Sequence, residues 1–134
     1  MSQQIFINLP VKDLQQSMSF YTAIGFNNNP QFTDDKAACM VVSDTIFVML
    51  LTHERFSDFT SKEIADTKKT VAVLNALSVT SPEALNELVN KAIEAGGNEY
   101  AEQKDYGFMQ QRCFEDLDGH NWEITYMDMS QFPK

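Results

Sequence analysis

The sequence is short of several residue types, and each shortage narrows what the chain can be. It has two cysteines in 134 residues, Cys39 and Cys113. Two thiols cannot make a disulfide framework, and their spacing fits no zinc-binding pattern, so a reducing, cytosolic setting is expected. Basic residues are scarce: ten Lys and Arg stand against nineteen Asp and Glu, a formal net charge of −9. That balance argues against nucleic acid and against anionic membranes, and it favours cationic ligands or no charged partner at all. No apolar run approaches the roughly 20 residues needed to span a bilayer. The longest, residues 46–51, has the length of a strand. "MSQQIFINLPVKDL" shows no basic stretch leading into an apolar one, so a secretory signal is not expected there. Histidine is as rare as cysteine, with only His53 and His120.

What remains is ample for a packed interior. Apolar residues make up 43% of the chain, including ten Phe and seven Met. The length predicts one domain, or two small modules sharing a core.

Two helices are predicted. Asp13 caps the first, with Leu14, Met18, Tyr21 and Ile24 on one face and Gly25 as its stop. Ser81 caps the second, Pro82 takes the first helical position, and Glu83 suits the positive end of the dipole. Leu85, Leu88, Val89, Ala92 and Ile93 form its apolar stripe, and Gly96 and Gly97 end it. Strands are predicted in "QIFINLPV", "AACMVVS", "TIFVMLLT", "TVAVLNALSV", "QQRCFED" and "HNWEITYM", where β-branched and aromatic residues concentrate. Residues 26–33 and 98–103 are weaker strand candidates. Turns fall at 43–44 and 117–119, and the polar connection 53–70 reads as a short helix, anchored by Phe56 and Phe59, followed by a linker.

Each half runs strand, helix, strand, strand, strand, and Cys39 and Cys113 hold similar places before each hairpin turn. A repeat of this size predicts an α+β fold of two tandem βαβββ modules, at about 1–60 and 71–134 with a linker at 61–70. A helix covers one face of each sheet. Because "TIFVMLL" is apolar throughout, the other face is expected to line a central cavity in a cupped mixed sheet, with the helices outside.

"LPVKDLQQSMSFYTAIGF" and "FEDLDGHNWEI" resemble the opening strand–helix unit and the final hairpin of the glyoxalase/bleomycin-resistance/extradiol-dioxygenase family, the vicinal oxygen chelate superfamily. The resemblance spans nearly the whole chain. It implies the cavity between modules as the site and, by analogy, a homodimer. It does not select an activity, because the family holds lyases, dioxygenases, isomerases and drug-binding proteins. Its metal-dependent members draw one ligand from each of four strands. Carried onto this sequence, those positions are Phe6, one of Val48, Met49 or Leu50, Leu74 and Glu123. Only Glu123 can bind a hard divalent ion, whereas open catalytic metal sites normally have three protein ligands.

The expected pocket residues are Phe6, Asn8, Leu50, Leu74, Ala76, Phe108, Asn121 and Glu123, with Glu123 as the one catalytic candidate. Asn8 or Arg112 is a candidate hydrogen-bond partner for it, and a turn at 117–119 would set Cys113 opposite it. His120 reads as a surface residue beside the turn, pointing away from Glu123. Asp116 and Asp118 read as turn residues and Glu115 as solvated. One reading follows without a metal or other cofactor: a small, partly apolar molecule is bound in the cavity with Glu123 as its polar anchor. In the alternative, the chain is a metal-dependent lyase or dioxygenase with non-standard ligands such as His53. In a third, the cavity is filled by side chains and the surface does the work.

Overall fold

The structure, a computed structural model, describes residues 2–131. The chain forms two compact units, residues 1–67 and 68–134, each a four-stranded mixed sheet with helices. The first holds β1 (Ile5–Val11), α1 (Leu14–Ala23), β2 (Asn27–Asn29), β3 (Ala37–Val41), β4 (Ile46–Thr52) and α2 (His53–Ser57). The second holds β5 (Leu74–Val79), α3 (Pro82–Glu94), β6 (Lys104–Asp105), β7 (Met109–Glu115) and β8 (Asn121–Met127). Strand order is β1-β4-β3-β2 in one and β5-β8-β7-β6 in the other, so the two units share one topology. In each, the first strand runs parallel to the last and the other pairs are antiparallel. No helix among the described residues is long and apolar enough to cross a membrane.

Local chemistry explains the helix ends. The Asp13 carboxylate accepts from the Gln16 N–H at 3.0 Å, and the Ser81 hydroxyl accepts from the Ala84 N–H at 3.0 Å. Gly25 and Gly96 follow α1 and α3 with φ of 111° and 107°, where a side chain would be strained. The buried stripe of α1 is Leu14, Ser17, Phe20 and Tyr21, continued by Ile24. Met18, expected on that face, is only half-buried, while Phe20 is buried and meets Tyr21 edge-on at 5.1 Å. On α3, Leu85, Val89 and Ala92 are buried. Each fully buried Leu or Val contributes about 1.5–3 kcal/mol relative to its exposed state. Phe114 and Trp122, stacked at 6.4 Å, fill the core of the second unit.

Several boundaries differ from the sequence expectation. β5 starts at Leu74, and the preceding Val71 and Val73 are exposed, without sheet neighbours. The candidate at 26–33 becomes a three-residue strand and a 3₁₀ turn, Pro30–Phe32, because Pro30 has no N–H to extend a ladder. The candidate at 98–103 runs beside β7 but is tied to it by a single bridge, Asn98 to Glu115, before regular pairing begins at Lys104. His120 is buried, at 7% exposure. The tight turn pairs the Asp116 N–H with the His120 carbonyl at 3.0 Å, which extends the ladder by one pair and places His120 on the same face as Trp122. It does point away from Glu123, but into the core side. Asp116 holds the turn by accepting from the Asp118 and His120 N–H groups at 2.9 and 2.8 Å, and Gly119 adopts φ 87°.

Arg112 locks the second unit together. It lies on the helix side of β7 and donates twice to the Glu99 carboxylate, at 2.8 and 2.9 Å, and to the side-chain amide oxygens of Asn86 and Asn90 on α3 at 3.1 and 3.0 Å. The hydrogen bonds from Arg112, aided by its charge, hold the Glu99 carboxyl below its ordinary value against the opposing effect of burial. Replacing Arg112 with Met should cost on the order of 2 kcal/mol, the scale of charge-assisted hydrogen bonds. The cost stops short of the fully buried limit because Glu99 keeps 25% of its side chain in water. Since the folded value of Glu99 is depressed, the stabilisation is complete above the ordinary glutamate range and is lost as pH falls through the folded value. Urea midpoints of wild type and Arg112→Met should therefore differ most at neutral pH and draw closer in acid, where only the bonds to Asn86 and Asn90 remain.

Candidate functional site

Strand register sorts every residue of the two sheets onto one of two faces, because neighbours in a row point the same way and alternate along the strand. In the first unit, the row Leu9–Leu50–Ala38 is fully buried on the face that α1 covers. The next row, Asn8–Met49–Cys39, belongs to the other face, with Phe6 and Phe47 beside it. In the second unit, Trp122, Ile124 and Phe114 are buried on the α3 side. The row Ala76–Glu123–Cys113 belongs to the other face, with Leu74 and Asn121 beside it. Counted back from the helix caps Asp13 and Ser81, Asn8 corresponds to Ala76 and Phe6 to Leu74. Met49 therefore holds in the first unit the place of Glu123 in the second, and Cys39 that of Cys113. The expected opposition of Cys113 and Glu123 is found.

A pocket of about 400 Å³ opens on the uncovered face of the first unit, lined by Asn8, Leu51, Phe56, Phe59 and Thr60. α2 makes its outer wall. Thr52 caps this short helix, its hydroxyl accepting from the Arg55 N–H at 3.2 Å. The turn continues past the helix through a Phe59 N–H bond to the Phe56 carbonyl at 3.1 Å. The two rings thus sit three residues apart over Leu51. Phe59 is 73% exposed, an aromatic face available for contact. Asn8 and Thr60 are the pocket's polar members. Nearby, Phe6 stacks on Phe47 with ring centres 4.8 Å apart.

On the uncovered face of the second unit, Glu123 is half-buried. Among the described residues no side chain hydrogen-bonds or ion-pairs with its carboxylate. Its neighbour Tyr100 comes from the segment beside β7. Alternation there sends Glu99 to Arg112 on the helix side and Tyr100 to the side of Glu123. The Tyr100 hydroxyl is buried without a well-formed hydrogen bond among the described residues. Burial pushes this phenol above its ordinary value; the nearby Asn121 side chain opposes the rise, and the Cys113 and Glu123 charges add to it. A buried, unsatisfied hydroxyl costs about 1–3 kcal/mol. Cys113 is buried, and its thiol donates to the Ala101 carbonyl at 3.9 Å. Burial raises the Cys113 thiol above its ordinary value, although contacts with Tyr100 and the Ala101 backbone counter it.

The expected residues divide accordingly. Phe6, Asn8, Leu74, Ala76, Asn121 and Glu123 lie on the uncovered faces of their units. Leu50 does not: it is fully buried in the row facing α1, one residue out of phase with Asn8 and Met49. Of Val48, Met49 and Leu50, only Met49 shares the face of Phe6. Arg112 is not a partner of Glu123, because it pairs with Ile124 in register and its guanidinium is committed to Glu99. Asn8 donates weakly to the Phe6 carbonyl at 3.5 Å. Phe108, in the β6–β7 hairpin, is half-buried and accepts from the Asp128 N–H at 2.6 Å. Glu115 is half-buried, and its backbone is bridged to that of Asn98. Leu51, Thr60 and Tyr100 carried no sequence signal as site residues. Phe56 and Phe59 were expected only as apolar anchors of the polar connection 53–70, and they also line the pocket.

The donor set does not fit the divalent metal of the metal-dependent proteins whose sequence pattern this chain resembles. Phe6, Met49 and Leu74 have no oxygen or nitrogen donor in their side chains, and Glu123 alone supplies one. Among the described residues no three His, Cys, Asp or Glu side chains gather as a metal-binding group. His53 opens α2 on the surface.

Comparison with known proteins places this geometry. Residues 3–43 match the family model described as bleomycin resistance protein-like N-terminal. The structure of hypothetical protein SA1046 from S. aureus is similar, with 29% identity, a TM-score of 0.78 and 94% of each chain covered. A glyoxalase/bleomycin resistance protein/dioxygenase family enzyme from Burkholderia phytofirmans PsJN superposes with a TM-score of 0.79 at 17% identity, covering 94% of this chain and 99% of that one. The fosfomycin resistance protein FosX from Mesorhizobium loti does so with a TM-score of 0.71 at 11% identity, over 97% and 96% of the two chains. No curated protein matches the sequence.

Burial also raises the Cys39 thiol, so both thiols are shielded and weakly ionised at neutral pH. A chromogenic disulfide reagent should react slowly with the native protein and rapidly with two thiols once denaturant is added. Fast native reaction of either thiol would contradict this packing.

Proposed function

We propose that this chain, which has the vicinal oxygen chelate fold of the glyoxalase/bleomycin-resistance/dioxygenase proteins, binds a small, partly apolar molecule on an uncovered sheet face. It does so without the divalent metal of its metal-dependent relatives. One observation carries the reading: the pocket of about 400 Å³ formed by Asn8, Leu51, Phe56, Phe59 and Thr60 lies on the uncovered face of the first sheet. Its volume falls within the range of small-molecule pockets, roughly 300–1,000 Å³. Its lining has the usual division of labour, with apolar side chains providing contact area and a few polar groups fixing orientation. Phe56 and Phe59 offer ring surface, Leu51 forms the floor, and the Asn8 amide and Thr60 hydroxyl can hydrogen-bond a polar substituent. The names of similar proteins, bleomycin resistance and fosfomycin resistance, suggest drug-like molecules as a class to test.

Metal chemistry is a poor fit for these residues. Three of the four positions that carry ligands in metal-dependent relatives are Phe6, Met49 and Leu74 here. Glu123 is better suited to accept hydrogen bonds from a ligand than to hold an ion unaided.

The test has two parts. Elemental analysis after mild dialysis should find no stoichiometric transition metal, whereas a stoichiometric metal lost in Glu123→Ala would sink the reading. A neutral solvatochromic dye, and separately metal-free bleomycin, should then be titrated against wild type and Phe59→Ala. Losing one ring face should weaken dye binding up to about tenfold, since aromatic contacts contribute about 0.5–1.5 kcal/mol. The mostly exposed Phe59 should be lost with little change in stability. Absence of binding by both probes would count against the pocket as a ligand site.

A further inference from the structure

The pocket on the first sheet is lined by Asn8, Leu51, Phe56, Phe59 and Thr60, none of them charged. Asn8 and Leu51 share the uncovered face, because Asn8 pairs with Met49, two residues before Leu51. Asn8 is exposed, and among the described residues its side chain makes one hydrogen bond, the weak donation to the Phe6 carbonyl at 3.5 Å. The rest of its amide is open to a ligand. Phe56 and Phe59 meet no other ring among the described residues, unlike Phe6 and Phe47, which cover each other at 4.8 Å. The Thr60 oxygen accepts from the Lys62 N–H at 3.1 Å, which leaves its O–H to donate. The charges of α2 are paired elsewhere: Glu54 with Lys36 at 3.1 Å, and Arg55 with Asp34 and Asp58 at 3.8 Å each.

The chemistry of these groups selects a ligand class. A carboxamide holds a donor and an acceptor side by side in one plane. A group with the same pair reversed, an N–H beside a C=O, closes two hydrogen bonds on it at once. A carboxylate would take the amide N–H but set its charge against the amide oxygen. An ammonium would take the oxygen and find no carboxylate among the lining residues. Burying either ion against Leu51 and two rings without an opposite charge is costly. An alcohol would use one side of the amide at a time. The rings add a second demand. Aromatic side chains prefer offset-stacked or edge-to-face partners, so a flat ring uses them better than a flexible chain, which loses rotational freedom on binding.

We propose that this pocket takes a neutral, planar heterocycle of the lactam type, its ring against Phe56 and Phe59 and its N–H/C=O edge paired with the Asn8 carboxamide. The ligand N–H donates to Asn8 Oδ1, and the ligand carbonyl accepts from Asn8 Nδ2. The Thr60 O–H can donate to a further acceptor on the ring. This assignment rests on the small-molecule reading above and narrows it to one chemical class. It makes Asn8 the residue that selects the ligand and the two rings the residues that hold it.

Titration of the full chain with 2-quinolone and with N-methyl-2-quinolone tests this, using wild type, Asn8→Ala and Phe59→Ala. The two probes share the fused rings and the carbonyl, and only the first has the N–H. Wild type should bind 2-quinolone about fivefold more tightly, the scale of one neutral hydrogen bond. Asn8→Ala should abolish that preference and, because Asn8 is exposed, leave the melting temperature level. Phe59→Ala should weaken both probes by a similar factor and keep the preference. Equal binding of both probes by wild type, or a preference kept in Asn8→Ala, would overturn the assignment and leave the small-molecule reading standing. Unchanged affinity of both probes in Phe59→Ala would overturn it too, since the ring would then lie elsewhere. If neither probe binds wild type while the solvatochromic dye does, the lactam assignment alone fails. If the dye and metal-free bleomycin also fail to bind, both readings fall.

Discussion

One helix covers one face of each four-stranded sheet, and strand alternation turns that cover into a division of residues. Every second residue of β4 and β8 is held under a helix, as Val48, Leu50, Trp122 and Ile124 are. The residues between them, Phe47, Met49, Asn121 and Glu123, point the other way and are only half-buried within their units. A one-residue slip would exchange the two sets and expose the core, so burial itself enforces the register. The caps at Asp13 and Ser81 fix where each helix starts, and Arg112 ties α3 to β7 and to the segment carrying Glu99 and Tyr100. The site residues hold their places because that framework leaves them no other face.

The repeat makes the chemistry asymmetric. The two units share strand order and register row by row, with Cys39 matching Cys113. At the central position of that row one unit has Met49 and the other Glu123. A thioether and a carboxylate in equivalent places give one apolar and one acidic face. The first unit adds α2, whose rings help line a pocket, and the second adds a segment that carries Glu99 to Arg112 and buries the Tyr100 hydroxyl. Elements that break the repeat, α2 and residues 98–103, therefore supply most of what distinguishes one face from the other. Such irregular segments carry function more often than the strands they join.

Much of this was legible in the sequence because its causes are local. Cap residues, glycine stops, the amphipathic stripe of α3 and the alternation in β8 each act within a few residues of chain. The turn at 117–119 followed from Asp116 and Gly119, and it fixed Cys113 opposite Glu123. The uniform run 46–51 hid its phase, since with every residue apolar no alternation shows which face each takes. Leu50 was expected beside Phe6 for that reason, and pairing with β1 was needed to place Met49 there instead. His120 looked exposed because a histidine beside a turn usually is; the extra ladder pair with Asp116 buried it.

The sequence alone determined the α+β class and the two-unit repeat, properties carried by residue type and short-range period. Only the tertiary structure decided which of Val48, Met49 and Leu50 shares the face of Phe6, that Arg112 serves Glu99 rather than Glu123, and that the Tyr100 hydroxyl is buried. These depend on pairing between strands far apart in the chain. Register and approach there are set by packing across the sheet, which no local stretch of sequence records.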